Sequence, residues 1–167
     1  GIHSIKSKFK NLPYYPNYYE QVDSGFNFRM SEISAALVNS QLKKLNFFVN
    51  KRNQIAKTYL KLIKNPKFIF QENSVDAKSS YHLFVVKLTS QNRNQYLKIF
   101  KIFNKNKIFI NLHYKALHLN PFFEEMGFKK GQFPISENYS YTAFSIPIFV
   151  GLAEKNIKKI ISILNNF

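Results

Sequence analysis

The chain has 167 residues, 45% of them hydrophobic, which is enough for one domain with a sizeable core, and it has no cysteine, excluding disulfides, thiolate zinc sites and a cysteine nucleophile. The formal net charge of +16 would point to nucleic acid, but only 3 of the 25 basic residues are Arg, the residue suited to bidentate phosphate recognition. Lys, Asn, Phe and Ile, all with A/T-rich codons, number 22, 19, 18 and 17, so the charge reads mostly as compositional drift that leaves a favourable field for an anionic small molecule.

Residues 1–24 are rich in Tyr, Pro and Asn, as in Pro13-Tyr14-Tyr15-Pro16-Asn17-Tyr18-Tyr19, and show no helical or strand period, so an irregular arm is expected. Gly1-Ile2-His3 has none of the regions of a signal peptide. From Phe26 to Asn65 there is neither Gly nor Pro, and Val38, Leu42, Leu45, Val49, Ala56, Tyr59 and Ile63 recur at helical spacing. This predicts one long linking helix over residues 31–65, capped by Ser31, with Glu32 at its positive end and a stop at Asn65-Pro66. About 30 residues at 1.5 Å each would reach about 45 Å, longer than a small domain is wide, so a bend is expected near Asn50. Just ahead of the helix start, Asn27 and Arg29 are placed to hold an anion such as a phosphate; the plainer reading is a turn residue and a solvated charge.

Residues 66–167 read as a small α/β domain. Lys67 to Gln71 and Tyr81 to Leu88 are β-branched or aromatic and bounded by turn residues, which predicts strands joined by the loop Asn73 to Ser80. Asn92 to Phe103 carries a helical stripe, and Ile108 to Leu112 reads as a third strand. Directly after it, His113-Tyr114-Lys115-Ala116-Leu117-His118 sets polar groups at a strand end. Its histidines lack the i, i+4 spacing and adjacent Glu of a zinc protease, which leaves hydrogen-bonded structural groups or donors to a ligand. Glu137 to Phe144 is a short helix, Ser145 to Ile148 an edge strand containing a proline, and Ile157, Ile160, Ile161 and Leu164 the stripe of a terminal helix. No apolar run approaches the ~18 residues of a membrane span, so no membrane partner is expected and a cytoplasmic home fits. Ser40-Gln41-Leu42-Lys43 matches Ser-x-x-Lys but sits mid-helix without companion motifs, and no glycine-rich phosphate loop is present.

In order along the chain, several stretches resemble the DegT/DnrJ/EryC1/StrS family of sugar-nucleotide aminotransferases. They are Gly25 to Ile33 with Ala35-Ala36-Leu37, Ser40 to Leu45, Lys51-Arg52, Tyr81-His82-Leu83, His113-Tyr114-Lys115 with Leu117-His118, Phe133-Pro134 with Glu137-Asn138, and Ser145 to Ile148. Within the family the chain is most similar to members acting in pseudaminic acid biosynthesis on a UDP-linked 4-keto-6-deoxy-N-acetylhexosamine.

The resemblance implies the C-terminal portion of a fold type I pyridoxal-phosphate transferase. A UDP-sugar and glutamate would be its substrates, and it would form a homodimer with the site shared across the interface. The match covers under half of such an enzyme. The aldimine lysine, the acid on the pyridine nitrogen and most phosphate ligands belong to a large domain upstream, to which residues 1–30 would also belong. This implies no catalytic residue in the chain and an inactive fragment on its own. Asn27 matches the asparagine that reaches the cofactor phosphate of the other subunit, and Arg29 the arginine near the substrate. His113 and Tyr114 match the His-Tyr pair on the sugar-nucleotide side, with His118 a looser match. Ala153 departs from the Ser or Thr usual at that helix start. The rival readings are a basic nucleic-acid-binding module, motivated by the net charge and the tyrosine-rich arm although no nucleic-acid partner is expected, and a structural fragment without a site.

Overall fold

The computed structural model describes residues 2–3, 20–21 and 28–167, and the chain divides between Lys43 and Lys44 into two units. In the first, β1 (Ile2–His3) and β2 (Glu20–Gln21) pair antiparallel, a two-residue ladder within what the sequence suggests is a wholly irregular arm. Helix α1 (Glu32–Leu42) starts as expected. The Ser31 hydroxyl accepts the Ser34 N–H at 3.3 Å, and Glu32 lies in the first turn.

The single long helix is corrected. The helical ladder ends at Leu42 and resumes in α2 (Leu45–Leu62), and the break falls at Lys43-Lys44 rather than near Asn50. Lys44 sits at φ −99°, ψ −3°, in the bridge region, where the i to i−4 bonding pattern lapses without any Gly or Pro to signal it. Ile55, Ala56, Tyr59 and Ile63 are buried, which makes the end of α2 part of the C-terminal core, whereas Val38, Leu42 and Leu45 on the same predicted stripe are exposed.

The second unit is built on a three-stranded antiparallel sheet in the order β3 (Phe68–Phe70), β4 (Phe84–Leu88), β5 (Ala143–Ile146). In β4 the residues Phe84, Val86 and Leu88 are buried and Val85 and Lys87 half-buried, the period of two that a sheet with one well-covered face requires. Register is set by Phe68 opposite Leu88 and by Phe84 opposite Ile146. Helices α3 (Arg93–Lys105) and α6 (Glu154–Asn165) bury Tyr96, Ile99 and Phe103, and Ile160, Ile161 and Leu164, in the same core. The short helices α4 (Pro121–Glu125) and α5 (Pro134–Thr142) complete the unit.

Amides stitch the ends of α2 and α6 together. Asn165 accepts from the Lys64 N–H at 2.8 Å and donates to the Leu62 carbonyl at 2.9 Å, while Asn65 donates to the Leu164 carbonyl at 2.9 Å. In the last turn of α2, the fully buried Tyr59 donates its hydroxyl to the Pro147 carbonyl at 2.9 Å, and burial raises its pKa.

The expected third strand over Ile108 to Leu112 does not form. Lys107 takes the left-handed conformation at φ +57° as α3 ends, and the segment then meets β5 at one bridge, Asn111 opposite Ser145. A non-glycine residue there carries roughly 1–2 kcal/mol of strain. Pro147, which has no N–H, limits further pairing along β5.

Candidate functional site

The Asn111 bridge is what places His113. Asn111 and Ser145 exchange both backbone hydrogen bonds, at 3.1 and 2.7 Å, which lays the start of the His113 loop against β5. Two residues on, His113 Nδ1 lies 2.8 Å from the buried Ser145 hydroxyl, a contact that fixes the ring and leaves Nε2 without a partner among the described residues. The His113–Tyr114 peptide bond is cis, and the two rings meet edge to face with centroids 4.8 Å apart.

His113 opens onto a cleft of about 740 Å³, within the range of small-molecule sites. Its polar wall is His82, Asn106, Lys107, Asn111, Asn156 and Lys159, and its apolar wall includes Ile108, Phe109, Ile146, Ile148, Phe149 and Leu152. Lys159 is steadied by donating to the Asn106 carbonyl at 3.0 Å. Among the described residues no carboxylate lines the cleft, and its lysines give it a positive field that suits an anionic ligand. Each wall has a local cause. Asn106 and Lys107 come from the turn that ends α3, and Asn156 and Lys159 are three apart on one face of α6. His82 follows Tyr81, whose φ of +44° is held by a Ser79 contact to its N–H and by its ring stacked on Phe84.

The expected site residues do not all meet. Of those described, His113 lines the cleft, whereas the Tyr114 side chain is exposed and outside its walls. His118 is elsewhere. It is buried with Nε2 2.9 Å from Glu137 Oε1, its ring edge-on to Phe133, and it lines a separate small cavity with Leu117, Phe123 and Phe128. The same Glu137 oxygen accepts the Gly131 N–H at 2.6 Å. The His118 contact holds the Glu137 carboxyl below its ordinary pKa, against the opposing effect of burial, with help from backbone donors. The His118–Glu137 contact ties the 3₁₀ turn (Leu117–Leu119) to the first turn of α5, away from the His113 cleft.

Arg29 is exposed, two residues before the Ser31 cap. Asn27 lies outside the described residues. Sequence reasoning missed Asn106, Lys107, Asn156 and Lys159. Only His82 carried a signal, inside Tyr81-His82-Leu83. Among the described residues there is no cluster of three metal-ligating side chains, and no helix is long and apolar enough to cross a membrane.

Comparison with known proteins now bears on this geometry. The UDP-4-amino-4,6-dideoxy-N-acetyl-β-L-altrosamine transaminase of Helicobacter pylori is 30% identical over 145 residues, covering 86% of this chain and 38% of that protein. The solved structure of Helicobacter pylori PseC, an aminotransferase involved in pseudaminic acid biosynthesis, superposes with a TM-score of 0.77 at 27% identity, over 93% of this chain and 42% of that one. The pyridoxal-phosphate form of the sugar aminotransferase Spr1654 of Streptococcus pneumoniae superposes with a TM-score of 0.80 at 21% identity, over 89% of this chain and 38% of that one. The chain thus spans well under half the length of these relatives and has the fold of the C-terminal portion of such enzymes. Residues 4–165 match the family model, and the chain belongs to the DegT/DnrJ/EryC1/StrS aminotransferase family.

Proposed function

We propose that this chain is the C-terminal part of a pyridoxal-phosphate aminotransferase that moves an amino group from glutamate to the 4-keto carbon of a UDP-linked deoxy amino sugar, in surface-glycan or pseudaminic acid biosynthesis. The observation that carries the reading is the acid-free, lysine-bearing cleft at His113, joined to a family whose relatives act on nucleotide sugars. A nucleotide sugar presents a diphosphate, and Lys107 and Lys159 supply the field for it. His113, oriented through Ser145, is a hydrogen-bonding group on the sugar side, and Tyr114 lies next to it with an exposed ring.

The described residues do not themselves form a seat for the pyridoxal ring. Every described lysine is exposed except the half-buried Lys87, and no carboxylate faces the cleft. No step through the cofactor is therefore assigned to this chain. Its share is binding and orientation, with Asn27 on the cofactor phosphate of the other subunit of a homodimer and Arg29 near the substrate. The upstream large domain holds the aldimine lysine.

The test uses the chain joined to its upstream reading frame, supplied with pyridoxal phosphate and glutamate. A UDP-linked 4-keto-6-deoxy-N-acetylhexosamine and a dTDP-linked 3-keto-6-deoxyhexose are offered in competition, with the aminated product identified by mass. Amination of the UDP-sugar is the expected result. Selective amination of the dTDP-sugar would overturn the substrate, and amination of neither would overturn the activity.

A further inference from the structure

Two histidines line the large cleft, His82 and His113, and only one of them is held. His82 is exposed and makes no hydrogen bond among the described residues, so nothing there selects its tautomer. His113 is half-buried, with Nδ1 2.8 Å from the Ser145 hydroxyl. Ser145 is 6% exposed, its backbone N–H and carbonyl are both taken by Asn111, and its hydroxyl has no other hydrogen-bond partner among the described residues. Counting protons gives that single contact a direction. A serine hydroxyl carries one proton and two lone pairs, and a neutral imidazole carries one N–H and one bare nitrogen. If Nδ1 were the donor, the serine proton would be buried without an acceptor, which is the costly arrangement. If the serine donates, its proton is satisfied at Nδ1 and the proton of the ring stands on Nε2. The lone pairs then left over on the hydroxyl are the cheaper shortfall, since under-used acceptors are commoner than orphaned donors.

We propose that Ser145 is a positioning residue that fixes His113 as its Nε2–H tautomer, so that the imidazole donates a hydrogen bond to an oxygen of the sugar; this rests on the reading that a nucleotide sugar occupies the cleft. The rest of the wall agrees with a donor at that place. Among the described residues no carboxylate lines the cleft to take the Nε2 proton, and the ammonium groups of Lys107 and Lys159 only donate. In the occupied cleft the acceptor is then a ligand oxygen, which a keto sugar carries in its carbonyl and hydroxyl groups. The sheet makes the arrangement rigid. Ser145 pairs with Val85 of β4 on one side and bridges Asn111 on the other, so the hydroxyl and the start of the His113 loop are held in one register. The opposite tautomer would turn a bare nitrogen to the ligand and select a donor instead of an oxygen acceptor.

The test has two arms. The first records long-range proton–nitrogen correlation spectra of the 167-residue chain with isotopically labelled histidine, at about pH 9, above the ordinary range of histidine titration. His113 should show the pattern of the Nε2–H tautomer. Ser145→Ala should turn it into a mixture of tautomers, and Ser145→Thr, which keeps the hydroxyl, should restore it. An unchanged signal from His118, bonded to Glu137 elsewhere, shows that the variants are folded. An Nδ1–H pattern in the wild type, or a pattern that Ser145→Ala leaves unchanged, would overturn the assignment. The second arm uses the chain joined to its upstream reading frame. Ser145→Ala should lower kcat/KM for the UDP-linked 4-keto sugar about three- to tenfold, the loss expected for one neutral hydrogen bond, and leave kcat/KM for glutamate unchanged. Equal losses for both substrates would overturn the sugar contact. Failure of the joined wild type to aminate the sugar would overturn the reading on which that contact rests, and the contact with it, while the spectra of the chain decide the tautomer separately.

Discussion

Tyr59→Phe isolates the hydrogen bond that ties α2 to the wall of the His113 cleft. The ring is fully buried and meets Phe84 edge-on at 5.1 Å, so the substitution keeps the packing and removes only the hydroxyl that reaches the Pro147 carbonyl. A net hydrogen bond contributes about 1–1.5 kcal/mol. Pro147 is half-buried and borders the cleft, so water can partly replace the lost donor and the loss should not exceed about 2 kcal/mol. In urea melts of the chain at pH 7, the midpoint should fall with the slope unchanged.

The pH dependence sharpens the test. Burial raises the folded-state pKa of Tyr59 above its unfolded value, so the stability linked to this group is fully present below about pH 10 and is lost as pH rises beyond it. The gap between wild type and Tyr59→Phe should therefore narrow above about pH 10. A loss under about 0.3 kcal/mol at pH 7, or a gap that widens in alkali, would refute the role given to this bond.

Three other outcomes follow from local geometry. Ala153 starts α6 with no side-chain cap, so Ala153→Ser should stabilise the chain by about 0.5–1 kcal/mol in the same melts. The Glu137 carboxyl has its pKa lowered in the fold, chiefly by His118, so its stabilising contribution is present above the ordinary value of 4.5 and is lost as pH falls below that value. Acid denaturation of Glu137→Gln should lack that part of the wild-type profile, and superimposable profiles would contradict the pairing. Asn53 donates to the Val49 and Ser79 carbonyls, both at 2.9 Å, so Asn53→Ala should cost about 1–2 kcal/mol and speed amide exchange around residues 79–83.

The sequence announces an element wherever burial has a period. Phe84, Val86 and Leu88 alternate, Tyr96, Ile99 and Phe103 follow helical spacing, and Ile157, Ile160, Ile161 and Leu164 form one stripe; all three patterns became elements. It fails where a periodic run lacks a partner. Ile108 to Leu112 has strand residues, but Ile108 is buried while Phe109 is 81% exposed, and only Asn111 finds β5. The break at Lys43-Lys44 was hidden for a related reason, because it arises from backbone geometry rather than from a punctuating residue.

The site was legible in part. His113 could be singled out because it follows a predicted strand. His118 has the same local sequence appearance, and only the fold reveals that Glu137, nineteen residues on, claims its ring. Lys107 and Lys159 are two lysines among 22, and nothing but tertiary structure distinguishes them from the rest.

The central claim, that this chain supplies binding groups to an active site whose chemistry lies upstream, is tested most directly by measuring amino transfer from glutamate. Pyridoxal phosphate and the UDP-linked 4-keto sugar are supplied first to the 167-residue chain alone and then to the chain joined to its upstream reading frame. The account predicts no turnover by the chain alone, turnover by the joined protein, and loss of that turnover with Asn27→Ala. Turnover by the chain alone would contradict it.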